Sequence, residues 1–145
     1  MSIQVILNPY ANRWQAQKQI EMVTAALSQL SRPFHLTPTS RPHEAVALAE
    51  TAVRNGCEMV VAAGGDGTIN EVITGILRAT PEGAATLPFG IIPLGSANDF
   101  SQMAGLPATI AGSVALIDDG QTRPVDVGVV VVGEGEGDTA RRYYF

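Results

Sequence analysis

The sequence predicts an α/β fold, three layers deep, with helices on both faces of a mainly parallel sheet. Three observations carry that expectation. Short apolar, β-rich runs alternate with segments of helical period, the rhythm of βαβ crossovers. The third of these runs, Met59–Ala63 (MVVAA), is apolar throughout, as a strand buried on both faces must be. Turns rich in Gly, Asn, Thr, Ser and Asp follow the strands, so they should collect at one edge of the sheet.

The elements are expected in this order. Ile3–Asn8 (IQVILN) reads as a strand closed by the turn signal Asn8-Pro9. Arg13–Leu30 carries Trp14, Ile20, Val23, Leu27 and Leu30 at three-to-four-residue spacing, an amphipathic helix. On that reading Trp14 and Met22 are packing residues rather than a ligand platform. Phe34–Thr37 is a short second strand. Pro42–Asn55 repeats the helical pattern, with Gly56 placed to cap its end. After Met59–Ala63 comes Gly64–Asn70 (GGDGTIN), then a helix from Thr68 to Ala79. Phe89–Pro93 is a fourth strand and Leu94–Phe100 a turn. A helix over Ala108–Asp119 should end near Gly120. Val125–Val132 and Arg141–Phe145 read as further strands, joined by the acidic hairpin-like loop Gly133–Asp138. A hairpin with no helix after it breaks the alternation. We therefore place a boundary at 132/133, with residues 1–132 one α/β domain and 133–145 the start of a second, β-rich one.

Composition narrows the function. With 145 residues, 46% hydrophobic and 16% charged, the chain should bury a real core rather than remain disordered. A net charge of −5 with only nine Lys and Arg argues against nucleic-acid binding, which draws most of its affinity from phosphate contacts. The same charge leaves no polybasic patch for an anionic membrane. No apolar stretch nears the roughly 20 residues that span a bilayer, and no signal-peptide pattern opens the chain. The expected location is cytoplasmic. The one cysteine, Cys57, rules out an internal disulfide and reads as a small buried hydrophobe at a helix-to-strand junction.

In an open parallel sheet ligands bind beyond the carboxyl ends of the strands. Those ends carry Asn8-Pro9, Thr37–Ser40, Gly64–Asn70 and Leu94–Asp99. Gly64, Gly65 and Gly67 remove side chains where the backbone turns sharply and aims N–H groups at an anion. Thr68 then opens a helix whose amides and dipole favour phosphate. Asp66 is out of place beside a phosphate unless it faces Mg²⁺, directly or through water, or orients donors by accepting their hydrogen bonds. Asn70 could reach a ligand or the neighbouring loop. Neither a P-loop nor a G-x-G-x-x-G dinucleotide fingerprint is present.

GGDGTIN at 64–70 together with PLGSANDF at 93–100 resembles the catalytic domain of diacylglycerol kinases, a family that includes bacterial lipid kinases and sphingosine kinases. The resemblance runs from Asn8-Pro9 to the end of the chain. It implies a Rossmann-like sheet of the kind shared with NAD kinases, and ATP bound at Gly64, Gly65, Asp66, Gly67, Thr68, Ile69 and Asn70. It further implies that Thr39 and Ser96 contact ATP, Ser96 standing where the family has threonine. Asn98 and Asp99 match the family's Asn-Asp pair, with Asn98 at the nucleotide. Asp66, Asp99 and Asp126 are implied to organise Mg²⁺. The acceptor implied is diacylglycerol at the membrane surface, giving phosphatidic acid, so the enzyme would be peripheral to the membrane. A sphingoid base or NAD is the alternative acceptor, and a homodimer is left open. In that family the catalytic base lies in a following β-rich domain, so no catalytic residue is assigned here. Departures are Asn12 and His43, each standing where the family commonly has glycine. Neither His35 nor His43 has a nucleophile or metal partner in view.

Overall fold

The computed structural model describes residues 2–132 and 141–144. Four strands, β1 (Ile3–Leu7), β2 (Phe34–Pro38), β3 (Met59–Gly64) and β4 (Phe89–Pro93), form one sheet in the order β2-β1-β3-β4. All of its pairings are parallel, with Val5 opposite Leu36 on one side and Val61 on the other. The sheet is covered on both faces, as expected.

Alternation along the strands sorts the core into two halves. Ile3, Val5 and Leu7 of β1, Met59, Val61 and Ala63 of β3 and Ile92 of β4 face one way. Against them pack α1 (Gln15–Lys18), α2 (Ile20–Leu27) and α6 (Ile110–Asp119), through Ala16, Val23, Leu27, Val114 and Ile117. Ile6, Val60, Ala62 and Ile91 face the other way, onto α3 (Glu44–Arg54) and α4 (Asp66–Ala79). Helices α3 and α4 lie close together because Gly75 has no side chain. A Cβ there would stand 2.4 Å from the Val46 carbonyl oxygen and 2.6 Å from the Ala49 Cβ. Gly56 (φ 75°) and Gly120 (φ 72°) adopt the left-handed conformation that ends α3 and α6.

Several sequence-based expectations need correction. The helix predicted over Arg13–Leu30 is two shorter helices, interrupted at Gln19. It also starts later, because Asn12, Arg13 and Trp14 all have positive φ, at 50°, 53° and 71°. That left-handed turn swings Trp14 off the apolar stripe: it is 59% exposed, not packed in the core, and meets Tyr10 edge-on at 4.4 Å between ring centroids. Met22 is likewise 61% exposed. It lies one residue, and so about 100° around the helix, from the buried Val23. The turn predicted over Leu94–Phe100 contains the start of a short helix, α5 (Asp99–Met103). Helix α4 begins at Asp66 rather than Thr68, and α3 at Glu44 rather than Pro42.

The strand predicted from Val125 begins only at Val129. This β5 (Val129–Val132) pairs antiparallel with β6 (Arg141–Tyr144) in a separate two-stranded sheet. The acidic loop Gly133–Asp138 lies outside the described residues. Cys57 is partly buried beside the core of the α3–α4 face, and burial pushes its thiol pKa up.

Candidate functional site

At the carboxyl edge of the sheet the strand-end turns are tied to one another by named contacts. The Asn8 side chain, just beyond β1, donates from Nδ2 to the Thr68 hydroxyl at 3.0 Å. Its Oδ1 accepts from the Tyr10 N–H at 2.9 Å. The Tyr10 hydroxyl donates to the Ser40 carbonyl at 3.1 Å, joining the loops after β1 and β2. The Thr39 N–H donates to the Leu7 carbonyl at 2.8 Å, and Thr39 is buried. The four turns therefore form one surface.

Gly64 is the last residue of β3 and Gly65 the N-cap of α4. A Cβ on Gly64 would lie 2.4 Å from the Thr68 Oγ1, so the turn closes this tightly only with glycine. Among the described residues no side chain caps the start of α4, whose N-cap is Gly65. Its first amides are the orphan donors of a 14-residue helix, with the positive end of the dipole behind them. Gly67 is exposed, and a Cβ built there meets nothing within 4 Å. The first turn of α4 is thus open to solvent at Gly67.

The second glycine turn lies against the first, backbone on backbone. A Cβ on Gly95 would stand 2.5 Å from the Gly65 Cα and 2.7 Å from the Asn98 Oδ1. Asn98, left-handed at φ 55°, clamps this turn: its Oδ1 accepts from the Gly95 N–H at 2.8 Å and its Nδ2 donates to the Gly95 carbonyl at 2.9 Å. Asp66 completes the connection. Its two carboxylate oxygens accept the Asp99 and Phe100 N–H groups, each at 3.1 Å, and so cap α5 from the start of α4. Of the roles open to Asp66 from sequence, orienting donors is the one these contacts support.

The remaining predicted residues are distributed as follows. Ser96 and Asp99 are exposed on the second turn, and Asn70 is exposed in the first turns of α4. Ile69 is buried in the α3–α4 half of the core, and its N–H donates to the Gly65 carbonyl at 3.1 Å. Asp126 is exposed on the segment between α6 and β5, and no contact ties it to Asp66 or Asp99 among the described residues. A group of three or more acidic, His or Cys side chains able to hold a metal is absent among those residues. Mg²⁺ does not require one, since it commonly binds one or two carboxylates with ligand phosphates and keeps its waters. The exposed Asp99 carboxylate, next to the glycine turns, fits that mode.

Two neighbours went unassigned in the sequence. The sequence places Asn8-Pro9 among the strand-end turns but assigns no contact to the Asn8 amide or to Tyr10. His43, at the N-cap of α3, is left-handed (φ 61°), which explains why glycine suits that position. Its Nδ1 stands 3.3 Å from the Glu71 carboxylate of α4. Beside it, Glu44 accepts from the Ser40 N–H at 2.5 Å and the Ser40 hydroxyl at 2.9 Å, contacts that lower its pKa. An apolar cavity of about 570 Å³ is lined by Ile73, Leu77, Phe89, Phe100, Leu106 and Ile117. None of Gly64–Asn70 borders it.

An uncapped helix start and a second glycine turn, packed together at the carboxyl edge of a parallel sheet, belong to the class of α/β proteins that take ligands at that edge. Within that class the chain belongs to the diacylglycerol kinase catalytic domain family, whose profile matches residues 2–130. It is 35% identical to a diacylglycerol kinase of Staphylococcus haemolyticus over 124 residues, covering 86% of this chain and 36% of that protein. It is 36% identical over 113 residues to a probable lipid kinase, YegS-like, of Pseudomonas aeruginosa, covering 78% of this chain and 36% of the relative. A diacylglycerol kinase structure from Bacillus anthracis superposes with a TM-score of 0.74 at 26% identity, covering 90% of this chain and 43% of the other. The chain thus spans well under half the length of these relatives. Among the described residues no helix is long and apolar enough to cross a membrane.

Proposed function

We propose that this chain is the ATP-binding part of a lipid kinase that transfers the γ-phosphoryl group of ATP to diacylglycerol, giving phosphatidic acid. The observation that carries the reading is the uncapped start of α4 beneath the open space at Gly67, walled by the Gly95 turn. The amides at the start of α4 and the Thr68 hydroxyl would bind the phosphates. Ser96, Asn70 and the buried Thr39 would line the nucleotide, and Asn98 would act by holding the Gly95 turn in shape. Asp99 and Asp126 would hold Mg²⁺ with the phosphates, leaving Asp66 to reach it with the lone pairs not engaged by amides. Bound there, the ion would offset charge on the β- and γ-phosphates.

Phosphoryl transfer also needs an acceptor hydroxyl held in line with the γ-phosphate and a group to take its proton. On this reading those come from a second, β-rich domain beginning near residue 133, and the chain alone binds nucleotide without turnover. The enzyme would work in the cytoplasm at the membrane surface, as a monomer or homodimer. A second reading, another lipid acceptor such as a sphingoid base, is favoured by the likeness to a YegS-like lipid kinase. NAD is a third acceptor to exclude by assay. The test is a radiolabelled ATP assay on the full-length protein with diacylglycerol, a sphingoid base and NAD offered separately. Label in phosphatidic acid is the expected result; label in phosphorylated NAD alone would refute the lipid reading.

A further inference from the structure

The direction of one hydrogen bond at the base of the cleft follows from its neighbours. A backbone N–H can only donate, so the Asn8 atom 2.9 Å from the Tyr10 N–H is the carbonyl oxygen. The amide nitrogen of Asn8 is then the atom 3.0 Å from the Thr68 Oγ1, and it donates. This fixes the side-chain flip that distances alone leave ambiguous. The Thr68 oxygen therefore accepts a hydrogen bond from Asn8, and its own single hydroxyl proton must point elsewhere.

The usual alternative is not taken. A helical threonine commonly turns its proton back to the carbonyl four residues earlier, here Gly64. The Gly64 carbonyl instead accepts the Leu94 N–H at 2.9 Å, and no acceptor for the Thr68 proton is found among the described residues. Thr68 is only 4% exposed and lies beside the uncapped first turn of α4. Its proton is thus added to a set of backbone donors with no partner of their own.

We infer that Asn8 is a positioning residue: by donating to the Thr68 hydroxyl, it directs that hydroxyl's proton to a phosphoryl oxygen bound at the start of α4. This rests on the proposed function for the identity of the anion, but the bond direction stands independently. Tyr10 contributes through its N–H, which holds the Asn8 amide in orientation. The loop after the first strand thereby acts on the phosphate site without touching the ligand.

Two measurements test it. Without ligand, ¹⁵N-resolved spectra should show one Asn8 side-chain N–H proton shifted and protected from exchange. Thr68→Val should abolish that protection, while Thr68→Ser should keep it. An Asn8 amide indifferent to Thr68→Val would overturn the bond direction. With ligand, calorimetry of the chain against Mg·ATP and against pyrophosphate should show Asn8→Ala and Thr68→Val each weakening binding about tenfold, roughly 1.4 kcal/mol. The double variant should be no more than about twofold weaker than either, because Asn8 acts through Thr68. Thr68→Ser should restore affinity in the otherwise native chain but not alongside Asn8→Ala. Independent, multiplying losses would overturn the inference. Binding of pyrophosphate without Mg·ATP would refute the nucleotide reading and leave the positioning role standing; binding of neither would refute both.

Discussion

Two glycines of the site, Gly95 and Gly67, should respond in opposite ways to one added methyl group. In Gly95→Ala the new Cβ would lie 2.5 Å from the Gly65 Cα and 2.7 Å from the Asn98 Oδ1. The first neighbour is backbone and cannot rotate away. Overpacking of this kind costs about 1–3 kcal/mol. Displacing Asn98 would add about 1 kcal/mol for a clamp hydrogen bond. The expected loss is therefore about 2–4 kcal/mol, a fall in Tm of roughly 5–15 °C at about 2–4 °C per kcal/mol. In Gly67→Ala the Cβ meets nothing, and an alanine in a helix is favoured by up to about 1 kcal/mol over glycine. That variant should be as stable as the native chain or slightly more so. It should nevertheless lose affinity for Mg·ATP, because the methyl would occupy the space above the α4 amides. Urea and thermal unfolding give the stabilities, and calorimetry gives the binding. A Gly95→Ala chain of native stability would refute the packing argument, and a Gly67→Ala chain with native affinity would refute the placement of the phosphate.

Other expectations follow from the same structure. Gly75→Ala should destabilise by up to about 2 kcal/mol in denaturant titration, since overpacking of about 1–3 kcal/mol against the Val46 carbonyl is offset by about 1 kcal/mol of helix propensity. The Ser40 contacts hold the Glu44 pKa down, so their stabilisation is present above the ordinary glutamate range and lost as pH falls through the lowered native value. Glu44→Gln should flatten that part of the acid-unfolding profile. Burial raises the Cys57 thiol pKa, so stability should fall as pH rises from the ordinary cysteine range through the raised native value, and Cys57→Ser should remove this dependence. In the native chain a disulfide reagent at mildly alkaline pH should modify Cys57 much more slowly than in urea.

Much of the architecture was legible because it rests on pattern. Strand β4 was predicted with its observed bounds, β3 to within one residue, and the sorting of helices to both faces followed from the alternation of elements. The errors occurred where local geometry overrode periodicity. The spacing from Trp14 to Leu30 matches a helix, but nothing in it announces three successive left-handed residues, two of them neither Gly nor Asn. Helix α5 was missed because a five-residue helix has no period to detect, and its N-terminus is capped by Asp66, 33 residues away. The glycine turns themselves were plain. Their mutual packing was not, since a Cα-to-Cα approach between Gly65 and Gly95 leaves no trace beyond two missing side chains. Likewise Asn98 read as a ligand contact but has its amide engaged with Gly95.

The ties that shape the cleft join residues far apart along the chain: Asn8 to Thr68 across 60 positions, Tyr10 to Ser40 across 30 and Asp66 to Asp99 across 33. Each requires a loop to close before the contact rewards it. During synthesis from the ribosome, the Asn8 amide and the whole β1 turn must wait for β3 and α4 to emerge, and the Asp66 cap for the turn after β4. A nascent or partly folded chain therefore has no competent cleft. A phosphate-bearing ligand that recognises only the assembled edge would stabilise the completed sheet over every intermediate, acting as a checkpoint on the order of assembly.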